Sequence, residues 1–158
     1  MKNKIININK LSSILKKKRS LGSKIVHCHG VFDLVHYGHI AHFQSAKKFG
    51  DILVVTITTD KFIKKGPNRP YFNQETRKKF LASIDCVDFV SEINSLSAVE
   101  AIRSIKPDYY AKGKEYKRFK DDITKKIKQE IYEVKKNKGK IIYTDDVTFS
   151  SSKILNEF

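Results

Sequence analysis

Two histidines three residues apart, His36 and His39, stand in the decamer Gly30-Val31-Phe32-Asp33-Leu34-Val35-His36-Tyr37-Gly38-His39. An apolar run, 24–29, precedes the decamer, and an amphipathic run, 40–49, follows it. Imidazoles so spaced at a strand-to-helix junction converge on one small anion. The start of a helix adds unpaired main-chain N–H groups and the positive end of its dipole. Gly38 lets the backbone approach a ligand that a side chain would hold off. The chemistry predicted is the handling of phosphate.

All five histidines fall between His27 and His42, which raises a metal site as an alternative. His27 and His29 share one strand face, and His39 and His42 share one helix face. No carboxylate or second cysteine stands near them at ligand spacing, so no metal site is assigned. His27, His29 and His42 are read as packing or supporting residues.

Further along, Lys65 follows the second predicted strand and lies at the same sheet edge as the histidines. The segment Thr148-Phe149-Ser150-Ser151-Ser152-Lys153 opens a last helix. Its hydroxyls and free N–H groups can cap that helix or grip phosphate oxygens.

The elements that must position these groups alternate. A basic helix, 10–20, carries Leu11, Ile14 and Leu15 as its apolar stripe and ends at Gly22. Strands are expected over 24–29, 51–59, 87–90, 108–111 and 140–144. Helices are expected over 38–49, 74–84, 97–105, 122–136 and 151–156. Phe80, Leu81 and Ile84 are expected to point inward. Ser97 and Glu100 are read as a capping box, and Ile123, Ile127, Ile131 and Val134 as the buried stripe of the long charged helix. The stretch Lys64-Lys65-Gly66-Pro67-Asn68-Arg69-Pro70 cannot be regular. This order predicts an α/β, Rossmann-like, doubly wound sheet of five parallel strands in a single domain. Residues 1–23 are expected to form a basic helix packed on a domain spanning 24–158. Ligands of such sheets bind beyond the strand carboxyl ends, where the histidine motif falls.

The 158 residues suit one compact core. There is no apolar run of spanning length and no secretory signal, and two cysteines make no framework. A soluble, cytoplasmic protein without a membrane partner is expected. The net charge of +15 raises a rival of another class, a non-catalytic basic nucleic-acid-binding module. Its lysines are spread along the chain with no aromatic RNA-binding signature, so no specific nucleic acid is expected. The charge instead raises the local concentration of anionic substrates.

The six specified residues of Gly-x-Phe-Asp-x-x-His-x-Gly-His are all present, and each occurs by chance at only a few per cent. The chain therefore resembles the cytidylyltransferase-like nucleotidyltransferases over about 22–156. Lys65-Gly66-Pro67-Asn68-Arg69-Pro70 and Pro107-Asp108-Tyr109-Tyr110-Ala111-Lys112-Gly113 are similar to segments of the adenylyltransferase domain of ADP-heptose synthases. The resemblance implies transfer of AMP from ATP to a heptose-like sugar 1-phosphate, with Mg²⁺ and release of pyrophosphate. The alternative is a CTP-dependent enzyme of the glycerol-3-phosphate cytidylyltransferase type, acting on that or another polyol or sugar phosphate.

By resemblance, His36 and His39 contact the triphosphate, and Lys65 contacts phosphate during catalysis. The main chain around Val31 and Phe32, with Asp33, Arg77, Lys112, Glu115, Ser150, Ser151 and Ser152, serves the nucleotide. Lys65 and Arg69 serve the acceptor. Asp33 is expected to fix its loop or a histidine. Departures lie at His29-Gly30-Val31, where the family often has Asn-Gly-Cys, and at Lys114-Glu115-Tyr116, where it continues Gly-Asp-Tyr. Relatives are often homodimers, although no segment here marks an interface. Products of this branch commonly feed surface glycans.

Overall fold

The computed structural model describes residues 3–117 and 126–157. Its elements run α1 (Ile8–Ser20), β1 (Ile25–Gly30), α2 (Tyr37–Lys47), β2 (Ile52–Thr58), α3 (Gln74–Ala82), β3 (Phe89–Ile93), α4 (Val99–Ile105), β4 (Tyr109–Gly113), α5 (Lys126–Lys136), β5 (Lys140–Thr144) and α6 (Ser151–Asn156). The five strands are parallel in the order β3-β2-β1-β4-β5. Chain order reverses between β1 and β4, and that switch point opens a crevice at the strand carboxyl ends.

Strand periodicity divides the core. Val26, Cys28, Leu53, Val55, Ile57, Val90 and Ala111 face Phe43 and Ala46 of α2 and Leu81 of α3. Ile25, Val54 and Ile93 face Leu11 and Leu15 of α1 and Ala101 and Ile105 of α4. Tyr110 meets Ile102 of α4 and Val134 of α5 on that second face. Parallel strands covered on both sides need apolar residues on both, which explains the seven buried residues of β2.

Polar groups close the ends. Arg19 Nη2 donates to the carbonyls of Ile105 and Lys106 at 2.7 Å each, so the C-terminus of α1 caps that of α4. The N-terminal segment covers the β3 edge: Val90 N–H donates to Lys4 O, and Ile6 N–H to Val90 O. That edge would otherwise stand open to another chain.

Several expectations are corrected. Phe80 is 41% exposed, with its edge against Phe72, so only Leu81 and Ile84 of that trio join the core. No capping box opens α4, whose N-cap is Ala98. Glu130 of α5 takes the Ala98 N–H at 2.9 Å instead. The third strand lies two to three residues later than expected, at Phe89–Ile93. Of the helix expected over 122–136, residues 122–125, Ile123 included, lie outside the described residues. In α5 the buried face holds Glu130 and Glu133 beside Ile127 and Val134, while Ile131 is half-buried.

Candidate active site

The β1–α2 connection is built around a residue that few loops tolerate. Phe32 takes φ 51°, the left-handed region, yet its ring is 9% exposed. Such a conformation in a bulky residue costs on the order of 1 kcal/mol or more. Burial offsets the cost, because the ring sets its edge against His39 and Phe43, with centroids 5.2 and 5.3 Å away. Gly30 is required beneath it: a Cβ there would stand 2.9 Å from the ring.

The paired imidazoles follow. His36 is the N-cap of α2 in extended conformation, and its ring stacks on that of His39 with centroids 3.8 Å apart. The His36 main-chain N–H donates to His39 Nδ1 at 3.4 Å, which assigns the His39 proton to Nε2. Both ring nitrogens of His36 are buried and without a partner. Burial holds the His36 imidazole below its usual range. Burial, with His36, His42 and Lys65 nearby, pushes His39 down to about 3. At neutral pH the pair is therefore uncharged.

These groups line a cavity of about 240 Å³ at the switch point. Val31, Phe32, Asp33, His36, His39, Lys65, Lys112, Glu115 and Ser151 of the expected site residues lie in its wall. Burial lowers the Lys65 ammonium from its usual range, as do Arg69 and Arg77 close by. Ser151 Oγ donates to Leu34 O at 2.8 Å, tying α6 to the histidine loop. Ser150 caps α6 by accepting from Lys153 N–H, and neither Ser150 nor Ser152 lines the cavity.

Three residues take places the motif alone does not indicate. Asp33 is 2% exposed and accepts from Arg69 Nε, Tyr71 N–H and Phe72 N–H at 2.8–2.9 Å. Burial raises its carboxyl, but those three donors outweigh it and hold the group below the usual range. Asp33 thus clamps the loop that carries Lys65. Arg69 lies on that clamp, away from the cavity wall. Arg77, expected at the nucleotide, is fully buried beneath the site. Its guanidinium donates to the carbonyls of Phe72, Val31 and Thr58 and to Asp60 Oδ1.

The remaining histidines support the floor. His27 Nε2 and His29 Nδ1 lie 2.8 and 2.9 Å from Thr56 Oγ1. Burial pushes His29 to about 4 and His27 well below its usual range. Among the described residues, no group of three His, Cys, Asp or Glu side chains could hold a metal ion.

Sequence reasoning missed Glu130, Asp146, Tyr116 and Thr144. Glu130 is 4% exposed, accepts from Tyr110 OH at 2.9 Å, and pairs with Lys112 Nζ at 3.4 Å. It fixes the cation that lies over the Tyr116 ring in the cavity wall. A glutamate on the helix face that carries Ile127 and Val134, three residues before and four after it, was the available signal. Asp146, Thr144 and Tyr116 carried none, since folding alone brings them to the crevice.

A cytidylyltransferase-like family model matches residues 27–157. The chain is similar to the bifunctional protein HldE of Campylobacter fetus subsp. fetus, 42% identical over 115 residues, and to that of Geotalea uraniireducens, 36% identical over 115 residues. These matches cover 72% of this chain but only 24% of each relative, so the chain spans about a quarter of their length. The fold is similar to the lipopolysaccharide core biosynthesis protein of Thermoplasma volcanium GSS1, with TM-score 0.62 and 22% identity over 82% of this chain and all of that one. It is also similar to the pantoate-beta-alanine ligase of Francisella tularensis, with TM-score 0.61 and 20% identity over 96% of this chain and 75% of that one. With the histidine motif whole and the match running over nearly its full length, the chain belongs to the cytidylyltransferase-like family and is a nucleotidyltransferase.

Proposed function

We propose that this nucleotidyltransferase moves AMP from ATP to a heptose-like sugar 1-phosphate, releasing pyrophosphate and an ADP-sugar. One observation carries the reading: two stacked imidazoles at the N-terminus of α2, those of His36 and His39, in the wall of the switch-point cavity. The ATP and sugar-phosphate choice is supported by the HldE relatives and by the Lys65–Pro70 and Pro107–Gly113 segments.

The acceptor's phosphate oxygen forms a bond to the α-phosphorus, and the bond from that phosphorus to the pyrophosphate oxygen breaks. The nucleophile is already anionic, so no base is needed. The task is to bring two polyanions together and to stabilise charge moving to the leaving group. His39 Nε2–H and the first N–H groups of α2 donate to phosphate oxygens. Lys65 and Lys112, both in the cavity wall, add positive charge. Mg²⁺ fits this donor set, because it needs only one or two carboxylates beside phosphate oxygens. Glu115, in the cavity wall, would hold it, whereas both Asp33 oxygens are occupied. The bound ion would neutralise triphosphate charge.

The test is pyrophosphate release from ATP and CTP with Mg²⁺ against a panel of sugar 1-phosphates and polyol phosphates. Turnover with ATP and a heptose 1-phosphate is expected. Turnover only with CTP and a polyol phosphate would move the chain to the cytidylyl branch. No turnover with any pair, in folded protein, would overturn the reading.

A further inference from the structure

Lys112, near the end of β4, lines the cavity, while the carboxylate beside it does not. That carboxylate, Glu130 of α5, is buried and is anchored independently of the lysine. Its Oε1 accepts from Ala98 N–H and its Oε2 from Tyr110 OH, each at 2.9 Å. These donors belong to the start of α4 and to β4, so three elements fix one carboxylate. A buried charge is costly to desolvate, and a neutral glutamine could serve both partners at less cost. It would accept from Ala98 N–H and donate to the Tyr110 oxygen. The negative charge therefore has another reason.

Lys112 supplies it. Its Nζ lies 3.4 Å from Glu130 Oε2, 5.3 Å from the centre of the Tyr110 ring and 4.7 Å from that of Tyr116. A lysine stem is flexible and gives up much rotamer freedom when it is held. Here an anion and two ring faces hold it before a substrate arrives. The 3.4 Å separation is longer than a charge-assisted hydrogen bond, about 2.7–2.9 Å. Attraction thus fixes the ammonium while its three N–H donors stay available to phosphate oxygens. The same carboxylate weakens the pull of Lys112 on a polyanion in the ground state. Its gain lies in orientation, where a displacement of about 1 Å can change a rate about 10²-fold.

We propose that Glu130 is a positioning residue for nucleotidyl transfer, which aims the Lys112 ammonium at substrate phosphate oxygens and favours turnover over tight nucleotide binding. The inference rests on the cavity being the transfer site and on Lys112 serving there, and it adds the group behind that cation. Interactions that act in the transition state raise kcat, whereas uniform binding only lowers KM.

Steady-state kinetics of the intact wild type, Glu130→Gln, Lys112→Met and the double variant provide the test. The substrates are ATP and a heptose 1-phosphate, or CTP and a polyol phosphate if wild type uses that pair. Glu130→Gln should lower kcat at least about tenfold without raising the nucleotide KM. In the Lys112→Met background the same change should cost less than about twofold, because the lysine it acts through is gone. An unchanged kcat in folded Glu130→Gln would overturn the proposal, as would an equal loss in both backgrounds. So would a raised KM with kcat kept, since the carboxylate would then serve binding alone. NMR relaxation of the wild-type Lys112 side chain requires no variant to fold. That side chain should be as ordered in the free protein as with Mg²⁺ and nucleotide bound, and a lysine mobile until nucleotide arrives would overturn the proposal. Wild type that turns over neither pair would instead remove the reaction on which the inference stands.

Discussion

In the proposed reaction neutral imidazoles meet the triphosphate as N–H donors, and their value lies in being fixed before the substrate arrives. His39 is held by the Phe32 edge, the His36 ring and the His36 main-chain N–H. Such preorganised donors contribute most where charge develops. His39→Asn is expected to lower turnover by about 10²–10³-fold, the loss found for one such donor. Its thermal transition should move by only a few degrees. Kinetics and a melting curve on the same preparation check this, and a collapse of folding with activity kept in the folded fraction would make His39 structural. The motif residues were legible because they lie within ten positions of one another. A loop-fixing role for Asp33 was expected, but its hold on residues 69–72 and the burial of Arg77 were not, because these depend on partners as far as 36 and 46 residues away.

At the level of elements, Arg77 links the start of α3 to the β1–α2 loop and the end of β2. It is fully buried, and its loss would leave three carbonyls and Asp60 short of a donor. Arg77→Ala is expected to reduce stability by about 3–5 kcal/mol, as for a broken buried pair. Urea unfolding monitors this through the midpoint. An unchanged midpoint with weakened nucleotide binding would return Arg77 to the nucleotide site. Strand positions were legible where β-branched runs are dense, as in β2. They were displaced at β3, where Ser91 and Glu92 dilute the apolar pattern. The start of α4 was misread because its N–H partner comes from α5, and local capping rules cannot see a side chain 32 residues away.

For the molecule as a whole, five histidines gathered in one small region give folding a pH dependence. Burial holds His29 and His42 at about 4 and His39 at about 3, and lowers His27 and His36. Between about pH 6.5 and 4 the unfolded chain binds protons at these sites and the folded chain does not. Stability is therefore full above about pH 6.5 and falls as pH drops towards 4. The melting temperature should fall by at least about 5 °C from pH 7 to 5. A flat or rising melting temperature over that interval would show these imidazoles to be solvated. No helix among the described residues is long and apolar enough to cross a membrane. A net charge of +15 raises the local concentration of polyanions around the molecule.

The most direct measurement is a crystal structure with α,β-methylene ATP and Mg²⁺, since that analogue cannot transfer its nucleotidyl group. The phosphate chain should lie across the first turn of α2, with His36 and His39 ring nitrogens about 3 Å from phosphate oxygens. A nucleotide bound elsewhere, or in this cavity with both rings turned from its phosphates, would contradict the account.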